Sequence, residues 1–204
     1  GNLGRVYKLR GELDQAVAYC EKALAIYEAL GNKEGMASAN GNLGSVYNTR
    51  GELDQAVEYY KKALTINEAL GNKEGIAIQY GSLGNVHETR GERDQAFEYY
   101  EKALAINEAL GNKEGMAREY GNLGNVYHTR GELDQAIEYH EKALAIGEAL
   151  GNKGGIAAAN GNLGLVYQTR GELDKAVEYH EKVLAIYEAL GNKEGMTAAN
   201  GNLE

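Results

Sequence analysis

Apolar positions recur along this chain in two alternating helical rhythms, each closed by a glycine. From Lys33 to Arg50 the spacing i, i+4, i+7, i+8 and i+11 selects Met36, Asn40, Leu43, Gly44 and Tyr47. That row forms one face of a helix, denoted A, and its only polar member is Asn40. Tyr80 and Tyr120 hold the same position further on. From about Leu53 to Leu70 a second helix, B, carries Leu53, Ala56, Val57, Tyr60, Ala63, Leu64 and Leu70. Tyr59 and Ile66 lie on another of its sides, so helix B is expected to be covered twice, by its own helix A and by the next one.

The punctuation agrees with two helices per unit. The chain has no proline, so its helices must be ended by glycine and started by polar caps. Gly51 and Gly71 suit the left-handed position that follows a helix, and Asn72 can accept an orphan N–H of the helix after it. Arg10, Arg50, Arg90, Arg130 and Arg170 fall in last turns of A, where a cation complements the helix dipole.

The pattern begins at Gly1 and restarts at Gly41, Gly81, Gly121, Gly161 and Gly201. A fixed period of this size marks a repeat array, which grows by adding units and has no single closed core. The expected organisation is one array over residues 1–204, with repeats 1–40, 41–80, 81–120, 121–160 and 161–200 and a truncated first and last helix A. It reads as a piece of a longer array. Recent duplication and consensus-style design would both give units this similar.

Composition narrows the partners. A net charge of −9 argues against a nucleic-acid backbone and gives no support to an anionic membrane surface. No apolar run is long enough to cross a bilayer. Cys20 is the only cysteine, which rules out an internal disulfide or a multi-cysteine zinc site and leans toward a cytoplasmic setting.

Leu43, Gly44 and Tyr47, followed by Ala56, Tyr60 and Ala63, resemble the tetratricopeptide repeat signature, and the match recurs in every unit. Two departures accompany it. The signature aromatic three before the leucine is Asn40, Asn160 and Asn200 in some units, and the closing proline is replaced by Glu28 and its equivalents. Helix B therefore runs on, and the period is 40 residues where about 34 is usual. This long form is similar to arrays in spindle-orientation adaptors and bacterial signalling proteins. The resemblance implies an all-α, right-handed α-solenoid superhelix of about five antiparallel helix pairs. It also implies a concave inner wall made by the A helices, where peptide ligands lie.

Comparison of the units with one another points to the same wall. About half the columns are identical throughout. Differences gather in three columns of helix A: Arg5, Ser45, Asn85, Asn125 and Leu165; Lys8, Asn48, Glu88, His128 and Gln168; Ser38, Ile78, Arg118, Ala158 and Ala198. A packing ladder must repeat itself, whereas a binding wall is free to differ. Drift at exposed positions is the plain alternative, but it fits poorly with the near-constant Glu21, Glu101, Glu141 and Glu181. A further column, Asn2, Asn42, Asn122 and Asn162, offers amides that can pair with a peptide N–H and C=O together, or simply bond to the neighbouring helix. The expected groove residues are thus Asn42, Ser45, Asn48, Asn85, Glu88, Arg118, Asn122, Asn125, His128, Asn162 and Gln168. Tetratricopeptide domains that clamp a C-terminal carboxylate carry a lysine where this chain has Gly41 and its equivalents, so that mode is disfavoured.

Signals of other chemistry are weak. His140 and His180 share a helix B column with Cys20, Tyr60 and Tyr100 and read as packing residues at the edge of the core, as does His87. His128 has no local ligand set with zinc spacing. The Gly-Asn-Leu-Gly run at 41–44 superficially matches a phosphate loop but falls inside a helix with no strand before it. Glu52 and Asp54 recur in every unit, as solvated helix starts do. The expectation is a non-catalytic protein-protein interaction scaffold with a peptide or protein ligand and no cofactor, metal, nucleic acid or membrane partner. End-to-end self-association, or a regulatory segment of a larger signalling enzyme, are the alternatives.

Overall fold

The computed structural model describes residues 2–192 and Gly195. The side chain of Asn2, and the closing helix A with Ala198 and Asn200, lie outside the described residues. Among the described residues all regular structure is helical, and the chain divides into two compact units, Gly1–Leu110 and Gly111–Glu204. The first contains α1 (Asn2–Leu9), α2 (Leu13–Ala29), α3 (Lys33–Arg50), α4 (Leu53–Leu70), α5 (Lys73–Thr89) and α6 (Arg93–Leu110). The second contains α7 (Lys113–Arg130), α8 (Leu133–Leu150), α9 (Lys153–Arg170) and α10 (Leu173–Leu190). Odd-numbered helices are A, even-numbered ones B.

Local chemistry sets these boundaries. Asn32 accepts a hydrogen bond from the Gly35 N–H at 2.8 Å, and Asn72, Asn112 and Asn152 cap Gly75, Gly115 and Gly155 at 3.0 Å. At the end of α3, Gly51 takes φ 78°, its N–H bonds to the Asn48 carbonyl, and the Glu52 N–H returns to the Tyr47 carbonyl at 3.0 Å. This paired closure needs a left-handed residue, which glycine adopts without strain.

Within each unit every helix packs on the next, and A helices also touch one another: α1 with α3, α3 with α5, α7 with α9. Helix A approaches its own helix B closely at the signature glycine. A Cβ on Gly44 would stand 2.7 Å from the Tyr60 ring, and one on Gly124 would stand 2.6 Å from His140. Ala56 and Ala136 are fully buried on helix B. Helix A is covered on more than the single face read from the sequence, because Ala37 and Val46, Ala77 and Val86, and Ala157 and Val166 are buried as well. The preceding helix B packs on helix A as well as its own does, with Val46 clustering beside Ala16, Val17 and Cys20 of α2.

Two further ties recur. The last-turn arginine of helix A reaches back 36 residues to the preceding helix B: Arg50 to Asp14 at 3.2 Å, Arg170 to Asp134 at 2.7 Å, and Arg90 to Asp54. The arginine column therefore joins repeats as well as closing its own helix. The signature tyrosine stacks on a helix B tyrosine, as in Tyr47–Tyr59 at 5.3 Å and Tyr167–Tyr179 at 5.4 Å. Lys62 and Lys182 lie over the second ring of each pair at 4.7 and 4.4 Å.

Candidate functional site

Where two A helices stand side by side over a B helix, a cavity opens, and it does so in both units. In the first, about 400 Å³ lies between α3 and α5 above α4, lined by Asn42, Ser45, Tyr60, Ile78, Gln79 and Ser82 among others. In the second, about 300 Å³ lies between α7 and α9 above α8, lined by Arg118, Asn122, Asn125, His140, Ala158 and Asn162 among others. A further cavity of about 300 Å³ in the first unit joins Arg5 and Lys8 of α1 to Asn42 and Ser45.

The expected groove residues divide by position. Asn42 and Ser45 meet in the first unit, and Arg118, Asn122, Asn125 and Asn162 meet in the second. Asn48, Asn85, Glu88, His128 and Gln168 do not line these cavities; all are half-buried or exposed on the same helices. Several are engaged within the fold. Ser45 accepts a bond from Lys8 Nζ at 2.5 Å, and His128 Nε2 lies 2.9 Å from the Thr169 hydroxyl. The Tyr100 hydroxyl sits 2.7 Å from both Asn85 Oδ1 and Glu88 Oε2 and can donate to either. Asn42, Asn125 and Asn162 make no side-chain hydrogen bond among the described residues.

The electrostatics of the second cavity centre on Glu119, which the sequence left unmarked, and on His140. Glu119 is fully buried beside it, accepting from Arg118 Nε at 2.9 Å and from Asn122 Nδ2 at 3.0 Å. Burial pushes its carboxyl above the ordinary range, and the Arg118 charge and both bonds oppose that rise. Its column holds Ala39 and Ala159 elsewhere and Gln79 once, so a polar residue in a small-residue column was the available signal. His140 and His180 are fully buried rather than at the edge of the core. Burial, and then the charge of His128, lower His140 to about 4, so its ring is neutral at pH 7. His87 is buried too, stacked on Tyr99 at 5.2 Å with Nδ1 against Glu92.

No group of three or more potential metal ligands is present among the described residues. Cys20 is buried, and burial raises its thiol above the ordinary value, away from the reactive thiolate. What these walls offer is neutral amides, a guanidinium paired to a buried carboxylate, and small apolar side chains. That set suits recognition by hydrogen bonding.

Comparison with known proteins bears on the fold and the family. Comparison of the sequence with curated proteins gave no match. Among solved structures, the chain is similar to BtubC (BKLC) from P. vanneervenii, at 26% identity and TM-score 0.82 over 93% of this chain and 79% of that one. It is similar to MamA at 28% identity and TM-score 0.64, over 92% of this chain and 96% of that one. A Rap protein complexed with Competence and Sporulation Factor shares the fold at 18% identity and TM-score 0.84, over 96% of this chain and 55% of that one. The tetratricopeptide repeat profile matches four times in overlapping windows, over residues 1–69, 35–109, 75–149 and 115–189. These windows end at intervals that match the period of the sequence itself, and the chain belongs to the tetratricopeptide repeat family.

Proposed function

We propose that this protein-interaction scaffold holds an extended peptide segment along the wall that the A helices form within each unit. One observation carries the reading. Many residues that differ between repeats line, or stand beside, cavities between neighbouring A helices, while a central part of the packing, at Leu43, Gly44, Val46, Ala56 and their equivalents, repeats unchanged. Unengaged amides at Asn42, Asn125 and Asn162 can pair with a peptide backbone, and the neighbours that change from repeat to repeat select side chains. The Rap protein solved with its bound factor lends support only at the level of a shared fold.

The test is a peptide-array screen of wild type beside the triple variant Asn42→Ala, Asn125→Ala, Asn162→Ala. These three are preferred to Asn85 and Arg118, whose loss would strip partners from Tyr100 and from the buried Glu119. The variant is expected to melt like wild type and to lose most bound spots. Retention of the same spots with the same intensity would move binding off this wall.

A second reading, end-to-end association, draws on Leu9 of α1, which is 86% exposed where the other repeats carry a threonine. Such contacts would be heterologous and need not close.

A further inference from the structure

One side chain in the α7–α9 cavity is out of keeping with its surroundings. The imidazole of His140 is fully buried, it lines the cavity, and neither of its ring nitrogens has a hydrogen-bond partner. Buried polar atoms in folded proteins are nearly always paired, so two on one ring mark a place where something else completes the bonding.

The other repeats show what is missing. Tyr60 and Tyr100 hold the equivalent position, each with its ring under the signature glycine, Gly44 or Gly84, as His140 lies under Gly124. Tyr100 extends past that glycine and places its hydroxyl against Asn85 and Glu88. Their equivalents in the later repeat are Asn125 and His128. The shorter imidazole carries no hydroxyl to them, and Asn125 lines the cavity without a hydrogen bond among the described residues. Tyr60 also lines a cavity, so the difference is one of bonding: the Tyr100 hydroxyl is satisfied within the fold, whereas both His140 ring nitrogens are left unpaired.

We propose that this cavity is a subsite for the side-chain carboxamide of an asparagine or glutamine in a bound peptide. The proposal rests on the groove reading above and adds a residue preference to it. A neutral imidazole presents one donor and one acceptor, and a carboxamide presents both in return, as do the amides of Asn122, Asn125 and Asn162. About 300 Å³ accommodates such a group together with Ala158 and Ala143 at its sides. Charge argues against a carboxylate. The Arg118 guanidinium is already held by Glu119 at 2.9 Å, and Glu114 at the rim adds a negative charge. An ammonium group would meet Arg118 at the mouth and a ring that is neutral at pH 7 inside.

Two measurements test the proposal separately from the groove reading. The first follows the His140 ring nitrogens and the Asn125 side-chain amide by nitrogen-15 NMR while propionamide or propionate is added. Propionamide is expected to shift both signals and propionate neither. Absence of a propionamide shift, or equal shifts with both probes, overturns the subsite whatever peptides do. The second repeats the peptide array with His140→Tyr, a residue this column already accommodates twice. Peptides bound by wild type should lose about tenfold in affinity when one Gln or Asn is changed to Glu. His140→Tyr should abolish that preference at that position alone. A peptide set that binds with no carboxamide preference overturns the subsite and leaves the groove standing. A blank array with a propionamide shift at His140 does the reverse.

Discussion

At Gly124 a single methyl group tests the packing. Gly124→Ala would place a Cβ 2.6 Å from the His140 ring, whereas Gly121→Ala, one turn earlier on α7, meets nothing within 4 Å. The first substitution should cost about 1–3 kcal/mol by overpacking. The second should gain up to about 1 kcal/mol from helix propensity. Urea denaturation of both separates close approach from any general intolerance of a side chain. His140 carries a pH signature. Its ring titrates at about 4 when folded against an ordinary 6.5, so between those values the unfolded chain binds a proton that the folded chain refuses. Stability is therefore lost as pH falls through that window, by about 3 kcal/mol in all. Glu119 works in the opposite sense, because a raised carboxyl costs stability as pH rises past its ordinary value. Melts of wild type and His140→Tyr from pH 6.5 downward should diverge steadily, and a constant gap would mean that the ring titrates normally. Glu119 did not announce its burial in the sequence, because a glutamate in a helix reads as a surface residue until the element covering it is known. His140 was marked as a packing residue by its column, but not as one left without bonding partners.

At the scale of the element, the helices were legible almost to the residue. The reading of Lys33–Arg50 and Leu53–Leu70 coincides with α3 and α4, because Asn32, Gly51 and Gly71 each have only one sensible role there. The second buried side of helix A was not legible. Ala37 and Val46 are small and unremarkable in a periodic pattern, and what covers that side belongs to other helices. The pairing of Arg50 with Asp14 was hidden for the same reason, since the partners lie on different helices, at the far ends of α3 and α2 in sequence. The groove columns were identified by contrast between repeats, which shows where residues differ but not which of them, like Asn85 and Arg118, are spoken for within the fold. A substitution on helix B probes how one element seats on the next. Ala136 is fully buried against Leu163, Val166 and Tyr167. Ala136→Leu should cost about 1–3 kcal/mol and lower the melting temperature by about 2–8 °C. An unchanged melt by circular dichroism would remove this contact from the packing account.

For the whole molecule, the two modes of use predict different masses. A scaffold that binds peptides one chain at a time keeps a constant mass in sedimentation equilibrium across a wide concentration range. Stacking through the exposed Leu9 of α1 would raise the mass with concentration, and Leu9→Glu should suppress the rise. With a net charge of −9, long-range repulsion between chains opposes stacking at low salt. Growth that appears only on adding salt would fit stacking through apolar contact. Among the described residues, no helix is long and apolar enough to cross a membrane.

Sameness of the buried columns creates a problem of partner choice that the short turns resolve. Because Leu43, Leu83, Leu123 and Leu163 present the same surface to their neighbours, packing chemistry alone scarcely distinguishes the correct helix pair from its copy one period away. Only two residues separate α3 from α4 and α4 from α5. Closing so short a connection is entropically cheaper than closing one a whole period longer, so the neighbour in sequence is reached first. Lengthening a turn with a flexible insert would erode that head start. Refolding yield, more than native stability, is where the damage should first be seen.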